Sequence, residues 1–192
     1  MQNQRYTITE QRGSNRIIKI NRPEVHNVIN FDLVTELKRE IGLCETNEKI
    51  SVVILTGEGL NSFSAVGDLD NVIKMSPNEA IRYANHVHEL LNLIEGLVKP
   101  VLAAINGFVL GGGCQIALAC DLRIASINAK IEQPEVKIGI SPGWGGTQRL
   151  SRIVDTSKAK ELIYTEKIID ANEAHRIKLV NKIVKLNDDQ KQ

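Results

Sequence analysis

Three consecutive glycines are the most conspicuous feature of the segment GFVLGGGCQIALACD, residues 107–121, and Gln115 follows closely behind them. Glycine lets a backbone approach a ligand, so Gly111–Gly113 indicates a binding or catalytic site rather than a hinge. Glycines bring no functional group of their own. The chemistry of such a site therefore depends on the neighbouring side chains, and Gln115 is the first of these.

Two strand-to-helix loops could supply backbone donors to this site. Residues 55–68 and residues 105–113 each follow a strongly apolar run, and each loop places a glycine just before a helix. The first N–H groups of a helix have no partner within it and lie at the positive end of its dipole. Two such sets of N–H groups, if they converge, bind an oxyanion or polarise a carbonyl group. Either loop alone is equally consistent with a tight turn.

The order of elements predicts how these loops are positioned. Two short strands, RYTITE and RIIKIN, precede a helix whose apolar positions 34, 37, 41 and 44 recur at helical spacing. The continuous apolar run SVVILT, residues 51–56, is typical of a strand that is buried on both faces of a parallel sheet. Further on, VLAAI and DLRIAS are expected to be strands, with a helix at CQIALAC between them. This alternation favours an α/β fold with a mostly parallel sheet.

A second helix is predicted to begin at Ser76. The motif SPNE combines a serine cap, a proline at the first helical position and Glu79 to complete a capping box. The apolar face of this helix is expected to contain Ile81, Ala84, Val87, Leu91 and Ile94. The pair KP at residues 99–100 marks its end, just before the strand VLAAI.

The composition is that of one globular domain. The 192 residues are 42% hydrophobic and 24% charged, which is ordinary for a protein with a buried core. A net charge of +1 provides no general field that would attract nucleic acid or an anionic membrane, and neither partner is expected. The apolar runs are far shorter than the roughly 20 residues of a membrane span. The start MQNQRYTITEQ has no apolar signal region, so a cytoplasmic protein is expected.

The cysteines and histidines do not indicate a metal site. Cys44, Cys114 and Cys120 are odd in number and form no C-x-x-C pair, so we interpret them as reduced, packed thiols. His86 and His88 lie two residues apart in a predicted helix and therefore do not share a face. No bound metal is expected.

One short motif resembles the nucleophile elbow of serine hydrolases. Residues 139–143, GISPG, match the pattern G-x-S-x-G, in which the residue after the serine donates its backbone N–H to an oxyanion. Pro142 occupies that position and has no N–H. We therefore interpret Ser141 as part of a loop turn and not as a nucleophile.

Four longer segments resemble the crotonase (enoyl-CoA hydratase/isomerase) family. They are INRPEVHNVINFDLVTEL, SFSAVGDL, KPVLAAINGFVLGGGCQIALACDLRIAS and IEQPEVKIGISPGWGGTQRL, and they are distributed over almost the whole chain. The resemblance implies an α/β, ClpP/crotonase-like fold of stacked ββα units in one domain over residues 1–192. It also implies an acyl-CoA substrate, a homotrimer or dimer of trimers, and no separate cofactor, because coenzyme A is part of the substrate.

The resemblance also leads to an expectation about the end of the chain. Family members usually continue beyond the segment RIKLVNKIV with further helices, which complete the acyl pocket and pack between subunits. Here KLNDDQKQ follows, so these C-terminal helices are expected to be missing, in a truncated chain or in a short member of the family. The pocket is then expected to be more open and the oligomer weaker.

The catalytic groups can be placed by the same resemblance. In the family the thioester carbonyl lies between two backbone N–H donors, which fall here on Gly67 and Gly112, and removing one such donor costs about 10² to 10³ in rate. Family hydratases also use two glutamates, of which one is present as Glu135 and the other is replaced by Gln115. A carboxamide can hold a water molecule but cannot accept its proton. Losing a general base costs on the order of 10² to 10⁴ in rate.

Three functions stay open at this point. The favoured interpretation is an enoyl-CoA hydratase, a lyase of fatty acid β-oxidation. It would use Glu135 as acid and base and Gln115 to orient water or substrate. An enoyl-CoA isomerase needs only one acid, which Glu135 supplies. A non-catalytic acyl-CoA-binding subunit would keep the glycines and need no acid. Glutamine is also the replacement one would engineer to trap a substrate complex, so the origin of Gln115 stays open.

Further substrate contacts are implied around the two loops. The family holds the CoA adenine with main-chain carbonyls, here around Ala65 and Gly67, and Val66 replaces a usual glycine and could narrow the acyl tunnel. Asp68 either contacts substrate or caps a helix. Trp144 either forms a wall of the acyl pocket or anchors its own loop. The remaining implied contacts are Leu69, Gly111, Pro134, Gly143 and His26, and Arg22 lies near His26 in the segment that runs along the CoA.

Overall fold

A computed structural model of the chain describes residues 5–68 and 72–185. The strands are β1 (Thr7–Arg12), β2 (Asn15–Ile20), β3 (Val52–Gly57), β4 (Ser62–Ser64), β5 (Val101–Ile105), β6 (Phe108–Leu110), β7 (Leu122–Ser126), β8 (Lys130–Glu132), β9 (Ile169–Asp170) and β10 (Lys182–Val184). The helices are α1 (Phe31–Thr46), α2 (Pro77–Gly96), α3 (Gly112–Ala119), α4 (Gly146–Val154), α5 (Thr156–Thr165) and α6 (Ala171–Arg176). Short 3-10 turns lie at Pro23–Val25 and Glu135–Ile138.

Two sheets organise these elements. The larger sheet has the order β1-β2-β3-β5-β7-β10, and the smaller sheet has the order β4-β6-β8-β9. Among the strand pairs in residues 5–68 and 72–185, β1/β2 and β8/β9 are antiparallel and the others are parallel, which confirms the predicted mostly parallel sheet. Successive strands alternate between the sheets: β3, β5 and β7 belong to the larger one, and β4, β6 and β8 to the smaller one. Each such pair is followed by helical structure, which gives the expected ββα units.

The register of the larger sheet brings the two predicted loops to the same edge. Thr56 of β3 pairs with Ala104 of β5, and Ile105 of β5 pairs with Ala125 of β7. Because these strands are parallel, the chain leaves β3 and β5 side by side. The segments that follow them, up to residues 68 and 111, therefore lie next to each other, as the sequence predicts.

Burial along β3 alternates rather than being continuous. Val53 and Leu55 are buried, whereas Val52, Ile54 and Thr56 are only half-buried. The prediction that this strand is buried on both faces is therefore wrong for one face. An apolar run gives the same sequence signal whether one or both faces are covered, because side-chain hydrophobicity does not report which neighbours are present.

The predicted capping box of α2 is present. Ser76 Oγ accepts a hydrogen bond from the Glu79 N–H at 3.4 Å, and Glu79 Oε2 accepts one from the Ser76 N–H at 2.8 Å, with Pro77 at the first helical position. The predicted apolar face is only partly correct. Val87, Leu91 and Ile94 are buried, together with Tyr83 and Leu90, but Ala84 is half-buried and Ile81 is 59% exposed. Ala84 lines a cavity in the first half of the helix, whereas Ile81 does not line it.

The Arg123 side chain holds the C-terminal end of α3. Its side chain is 6% exposed, and Nη1 donates to the carbonyl oxygens of Cys120 at 2.7 Å and Ala117 at 3.3 Å. Nε donates to the Leu179 carbonyl at 2.8 Å. A cation at the C-terminal end of a helix satisfies carbonyls that have no partner within the helix and interacts favourably with the dipole. This contact holds α3 in place so that its N-terminal end faces the cavity.

Asn27 joins the segment after β2 to β4. It is fully buried with a φ of 58°, a conformation that asparagine tolerates better than most residues. Its Oδ1 accepts from the Arg22 N–H at 2.9 Å, and its Nδ2 donates to the carbonyls of Ser62 at 2.9 Å and Glu58 at 3.1 Å. Ser64 Oγ donates to the Asn27 carbonyl at 2.7 Å. One side chain thus positions the strand that leads into residues 65–68.

We expect Asn27→Ala to lower the free energy of unfolding by about 2 to 4 kcal/mol, because it leaves one N–H and two carbonyl groups without their partner inside the protein. Urea denaturation at constant pH measures this value. Asn128 is exposed, and Asn128→Ala is the matched control, with an expected change within about 0.5 kcal/mol. Equal effects of the two substitutions would contradict the structural role of Asn27.

Candidate active site

A cavity of about 390 Å³ lies between the N-terminal halves of α2 and α3 and the chain around the Glu135–Ile138 turn. Its walls are mainly apolar, with contributions from Val72, Met75, Ala80, Ala84, Ile138 and Ile140. The structure brings together nine of the residues singled out in the sequence: Val66, Gly67, Gly111, Gly112, Gln115, Pro134, Glu135, Gly143 and Trp144. Residues 45 or more positions apart in the chain, such as Gly67 and Gly112, thus share one cavity.

Other predicted contacts lie elsewhere. Asp68 lines a separate cleft with Phe31 and Lys74. His26 is exposed, its carbonyl accepts from the Ala65 N–H at 3.0 Å, and neither residue lines the cavity. Leu69 lies outside the described residues.

The Arg22 guanidinium contacts groups within the protein. Its Nη1 donates to the Val28 carbonyl at 2.7 Å, and the guanidinium lies 5.7 Å from the centre of the Tyr6 ring.

The two glycines Gly67 and Gly112 lie against the same ring. A Cβ atom on Gly67 would be 2.9 Å from Cη2 of Trp144, and a Cβ on Gly112 would be 2.3 Å from Cζ3 of the same indole. A side chain at either position would therefore require the Trp144 indole to shift. The backbone bridge at Gly67 uses the N–H of Asp68, which donates to the Ile29 carbonyl at 3.0 Å. Gly112 is the first residue of α3, where an N–H has no acceptor within the helix.

The structure requires glycine at positions 111 and 113 for different reasons. Gly111 has a φ of 48°, and its N–H donates to the Glu132 carbonyl at 3.0 Å, which ends β6 and starts α3. A Cβ on Gly113 would lie 2.1 Å from the Ser64 carbonyl oxygen, so this glycine allows α3 to pack directly on β4. The run of three glycines therefore combines a turn, a contact with the cavity and a close backbone approach.

Gln115 is fixed at both ends of its amide. Its Nε2 donates to Glu135 Oε1 at 2.8 Å, and its Oε1 accepts from the Gly146 N–H at 2.9 Å. The side chain is 2% exposed. Since the Gly146 N–H must face the amide oxygen, the nitrogen is turned toward the carboxylate, and the orientation of the amide is determined by its neighbours.

Glu135 is a buried carboxylic acid at the cavity wall. Burial raises the pKa of Glu135 above its ordinary value of 4.5, and the nearby Glu132 acts in the same direction, whereas hydrogen bonds from its own N–H and from Gln115 lower it. The amide of Gln133, with its nitrogen facing Glu135, donates to both carboxylate oxygens at 3.0 Å. Gln133 was not predicted from the sequence, where its place in the motif QPE was the available signal. A buried carboxyl group with a raised pKa, held at a cavity wall, is a candidate for proton transfer.

Trp144 forms a wall of the cavity. Its indole is half-buried and meets the Tyr83 ring edge-on, with centroids 5.6 Å apart and planes at 87°. Tyr83 OH in turn donates to the Ile29 carbonyl at 3.1 Å. Tyr83 was missed in the sequence because it lies one position beside the predicted apolar face of α2. Trp144 thus lines the cavity, and its role in an acyl pocket stays a prediction.

The alternative chemistries find no support in the geometry. Burial raises the pKa values of Cys114 and Cys120 to about 12, which leaves no reactive thiolate, and all three cysteines are buried free thiols. His86 stacks on Phe31 at 4.2 Å and bonds Thr35 at 2.9 Å. Within residues 5–68 and 72–185, no group of three or more His, Cys, Asp or Glu side chains is arranged to hold a metal ion. In the same part of the chain, no helix has the length and apolar character needed to cross a bilayer.

Known proteins resemble this chain in both sequence and structure. The family model described as Enoyl-CoA hydratase/isomerase matches residues 10–191. A short-chain-enoyl-CoA hydratase from Clostridium acetobutylicum is 48% identical over 177 residues, which cover 92% of this chain and 68% of that protein. A crotonyl-CoA hydratase from Syntrophomonas wolfei is 45% identical over 177 residues, again 92% of this chain and 68% of that protein. The crystal structure of an enoyl-CoA hydratase from Bacillus anthracis has a TM-score of 0.91 at 36% identity, covering 94% of this chain and 70% of that one.

The burial of Glu135 predicts a pH-dependent stability. Just above pH 4.5, the unfolded chain has lost a proton that the folded state still holds, because the pKa of Glu135 is raised in the folded state. This contribution to stability therefore falls as the pH rises through that window. Glu135→Gln removes the ionisation and keeps an acceptor for Gln115. We expect the unfolding free energy of the variant, relative to the parent, to increase between about pH 4 and pH 8 in urea titrations. A pH-independent difference would contradict this.

Proposed function

Because this chain belongs to the enoyl-CoA hydratase/isomerase family and has the crotonase fold, we propose that it is an enoyl-CoA hydratase. It adds water across the double bond of 2-enoyl-CoA thioesters. One observation carries the proposal: a buried carboxyl group, Glu135, is hydrogen-bonded to Gln115 in an apolar cavity that also contains the two glycines against Trp144. Two relatives with 45% and 48% identity are named as hydratases of this kind.

The glycine N–H groups bind the thioester carbonyl in this proposal. Gly67 and Gly112 would donate to the carbonyl oxygen, and Gly112 lies at the positive end of the α3 dipole. Both interactions strengthen when the oxygen becomes an enolate, so they stabilise the transition state more than the substrate. The apolar cavity walls exclude water that would weaken them.

Glu135 transfers the protons. As a carboxylate it takes a proton from the water molecule while the water oxygen bonds to C3 and the double-bond electrons move onto the thioester oxygen. The resulting carboxylic acid then protonates C2 of the enolate, which restores the carboxylate and completes the addition of one water. Its raised pKa suits both directions of transfer. Gln115 keeps Glu135 in position, and its second amide N–H can donate to the water oxygen.

The CoA portion is assigned to the segment after β4. Main-chain carbonyls around Ala65 and Gly67 would hold the adenine amino group, and Val66, whose Cγ1 would lie 2.9 Å from a Cβ on Gly111, narrows the passage to the cavity. Asp68 and Leu69 follow directly in the chain, and the His26 carbonyl accepts a hydrogen bond from the Ala65 N–H. We propose a homotrimer or a dimer of trimers as the assembly.

A second function, enoyl-CoA isomerisation, is favoured by one specific observation. The Gln115 amide oxygen accepts from Gly146 and its nitrogen faces Glu135, so Gln115 cannot act as a base. Glu135 alone could remove a C2 proton from a 3-enoyl-CoA, with the electrons passing onto the thioester oxygen, and return the proton at C4, which leaves the double bond between C2 and C3. This reaction needs no second carboxyl group, whereas hydration in the family uses two.

Substitutions at the two positions separate these functions. Glu135→Gln is expected to lower either activity by about 10² to 10⁴, because it removes the proposed proton-transfer group. Gln115→Glu is expected to raise the rate of hydration, since one oxygen still accepts from Gly146 and the other shares a proton with Glu135. An isomerase would be indifferent to Gln115→Glu. Initial rates with saturating thioester measure both effects.

The decisive assay uses D₂O. The protein is incubated with crotonyl-CoA and, separately, with a 3-enoyl-CoA, and the products are followed by NMR and mass spectrometry. A 3-hydroxyacyl-CoA with deuterium at C2 supports the hydratase. Migration of the double bond without added water supports the isomerase. No change in either substrate, together with retained binding of the thioester, would overturn both in favour of a non-catalytic subunit.

A further inference from the structure

Arg149 is a buried cation of α4 that joins three parts of the structure. Its side chain is 8% exposed. Nη2 and Nε donate to Glu95 Oε2, on α2, at 2.8 and 3.2 Å, and Nη2 also reaches Asn92 Oδ1 at 3.4 Å. Nη1 donates to the carbonyl oxygen of Trp144 at 3.1 Å. One guanidinium group thus connects α4 and α2 to the loop that carries the indole.

The backbone of this loop is shaped to meet the guanidinium. Gly145 has a φ of 86°, which places it in the left-handed region that glycine favours. A Cβ atom at Gly145 would lie 2.3 Å from Arg149 Nη1. The absence of a side chain therefore leaves room for Arg149 beside the Trp144 carbonyl. Gly145 precedes α4 without a side-chain cap, and this turn is held by Arg149 through the Trp144 carbonyl and by Gln115 through the Gly146 N–H.

The Trp144 indole connects the contact between Arg149 and the Trp144 carbonyl to the cavity. The Trp144 indole occupies the space that Cβ atoms at Gly67 and Gly112 would need, and the Tyr83 ring meets it edge-on. If the Trp144 carbonyl lost its donor, the indole would no longer be held against the two glycines from its own loop. Packing at this point defines where an acyl group can lie relative to the two N–H groups.

We propose that Arg149 is a positioning residue: through the Trp144 carbonyl and Glu95, it holds the indole against Gly67 and Gly112 and thereby aligns the acyl thioester. Its effect on catalysis rests on the function proposed above, whereas its effect on Trp144 does not. Lysine cannot replace it fully. A lysine ammonium can pair with Glu95, but it lacks the planar fork that reaches two acceptors in different directions at once.

The test uses the fluorescence of Trp144, the single tryptophan of the chain. Arg149→Met keeps an apolar stem and removes every donor. Arg152 is exposed on the same helix, so Arg152→Met is the matched control. In Arg149→Met we expect emission at longer wavelength and stronger quenching by acrylamide than in the parent or the control. With crotonyl-CoA we expect kcat to fall about 10- to 100-fold, with KM changed by no more than about threefold, because misplacement of the acyl group affects the transition state.

The conservative variant gives a readout that a purely structural role would not move. Arg149→Lys is expected to recover most of the thermal stability lost in Arg149→Met but little of the native quenching or kcat. If Arg149→Met does not fold, Glu95→Gln replaces it, since the Glu95 side chain is 55% exposed and tolerates substitution. In that variant the same changes are expected with smaller size.

Two results would overturn the proposal. One is native quenching of Trp144 in a folded Arg149→Met or Glu95→Gln protein. The other is full recovery of quenching and kcat in Arg149→Lys. Altered quenching in a protein whose parent lacks hydratase and isomerase activity would support the link between Arg149 and Trp144 and overturn only the proposed function.

Discussion

The hydrogen bond between Gln115 and Glu135 is the constraint on which the rest of the site depends. It joins α3 to the 3-10 turn of the carboxylate, and the Gly146 N–H extends the connection to the first residue of α4. A buried carboxyl group without such partners would be costly, because its charged form loses its hydration. With amide donors from Gln115 and Gln133, Glu135 stays in an apolar cavity and keeps a pKa suited to proton transfer. The three segments must therefore keep their mutual positions for the carboxyl group to be tolerated.

Close approach between backbone and ring is the second constraint. Trp144 occupies the space that side chains at Gly67 and Gly112 would need, so the glycines and the tryptophan determine one another. The indole adds a rigid apolar surface, and Tyr83 fills the space behind it. Glu135, Gln115, Gly67 and Gly112 consequently line one cavity although they come from different ββα units.

Patterns confined to neighbouring residues could be predicted well from the sequence. The capping box at Ser76, the order of strands and helices and the glycine-rich start of α3 all depend on a few adjacent positions. The gathering of Gly67, Gly112, Gln115 and Glu135 around one cavity was also expected, on the basis of family resemblance. Contacts across the fold were not predictable. Asn27, Gln133 and Arg149 are ordinary polar residues in the sequence, and only the tertiary structure shows which carbonyl or carboxylate each one meets.

The alternation of strands between the two sheets has a consequence for how the site forms. Each ββα unit gives one strand to each sheet, and parallel neighbours such as β3 and β5 pair only after a long intervening segment has been placed. Pairings of this kind are slow steps, because the entropy of closing the loop is lost before the contacts form. The cavity lies where three units meet, so each single unit contributes only part of its lining. Ligand binding in this cavity would therefore report the completion of folding, and a collapsed intermediate with native helices would lack it.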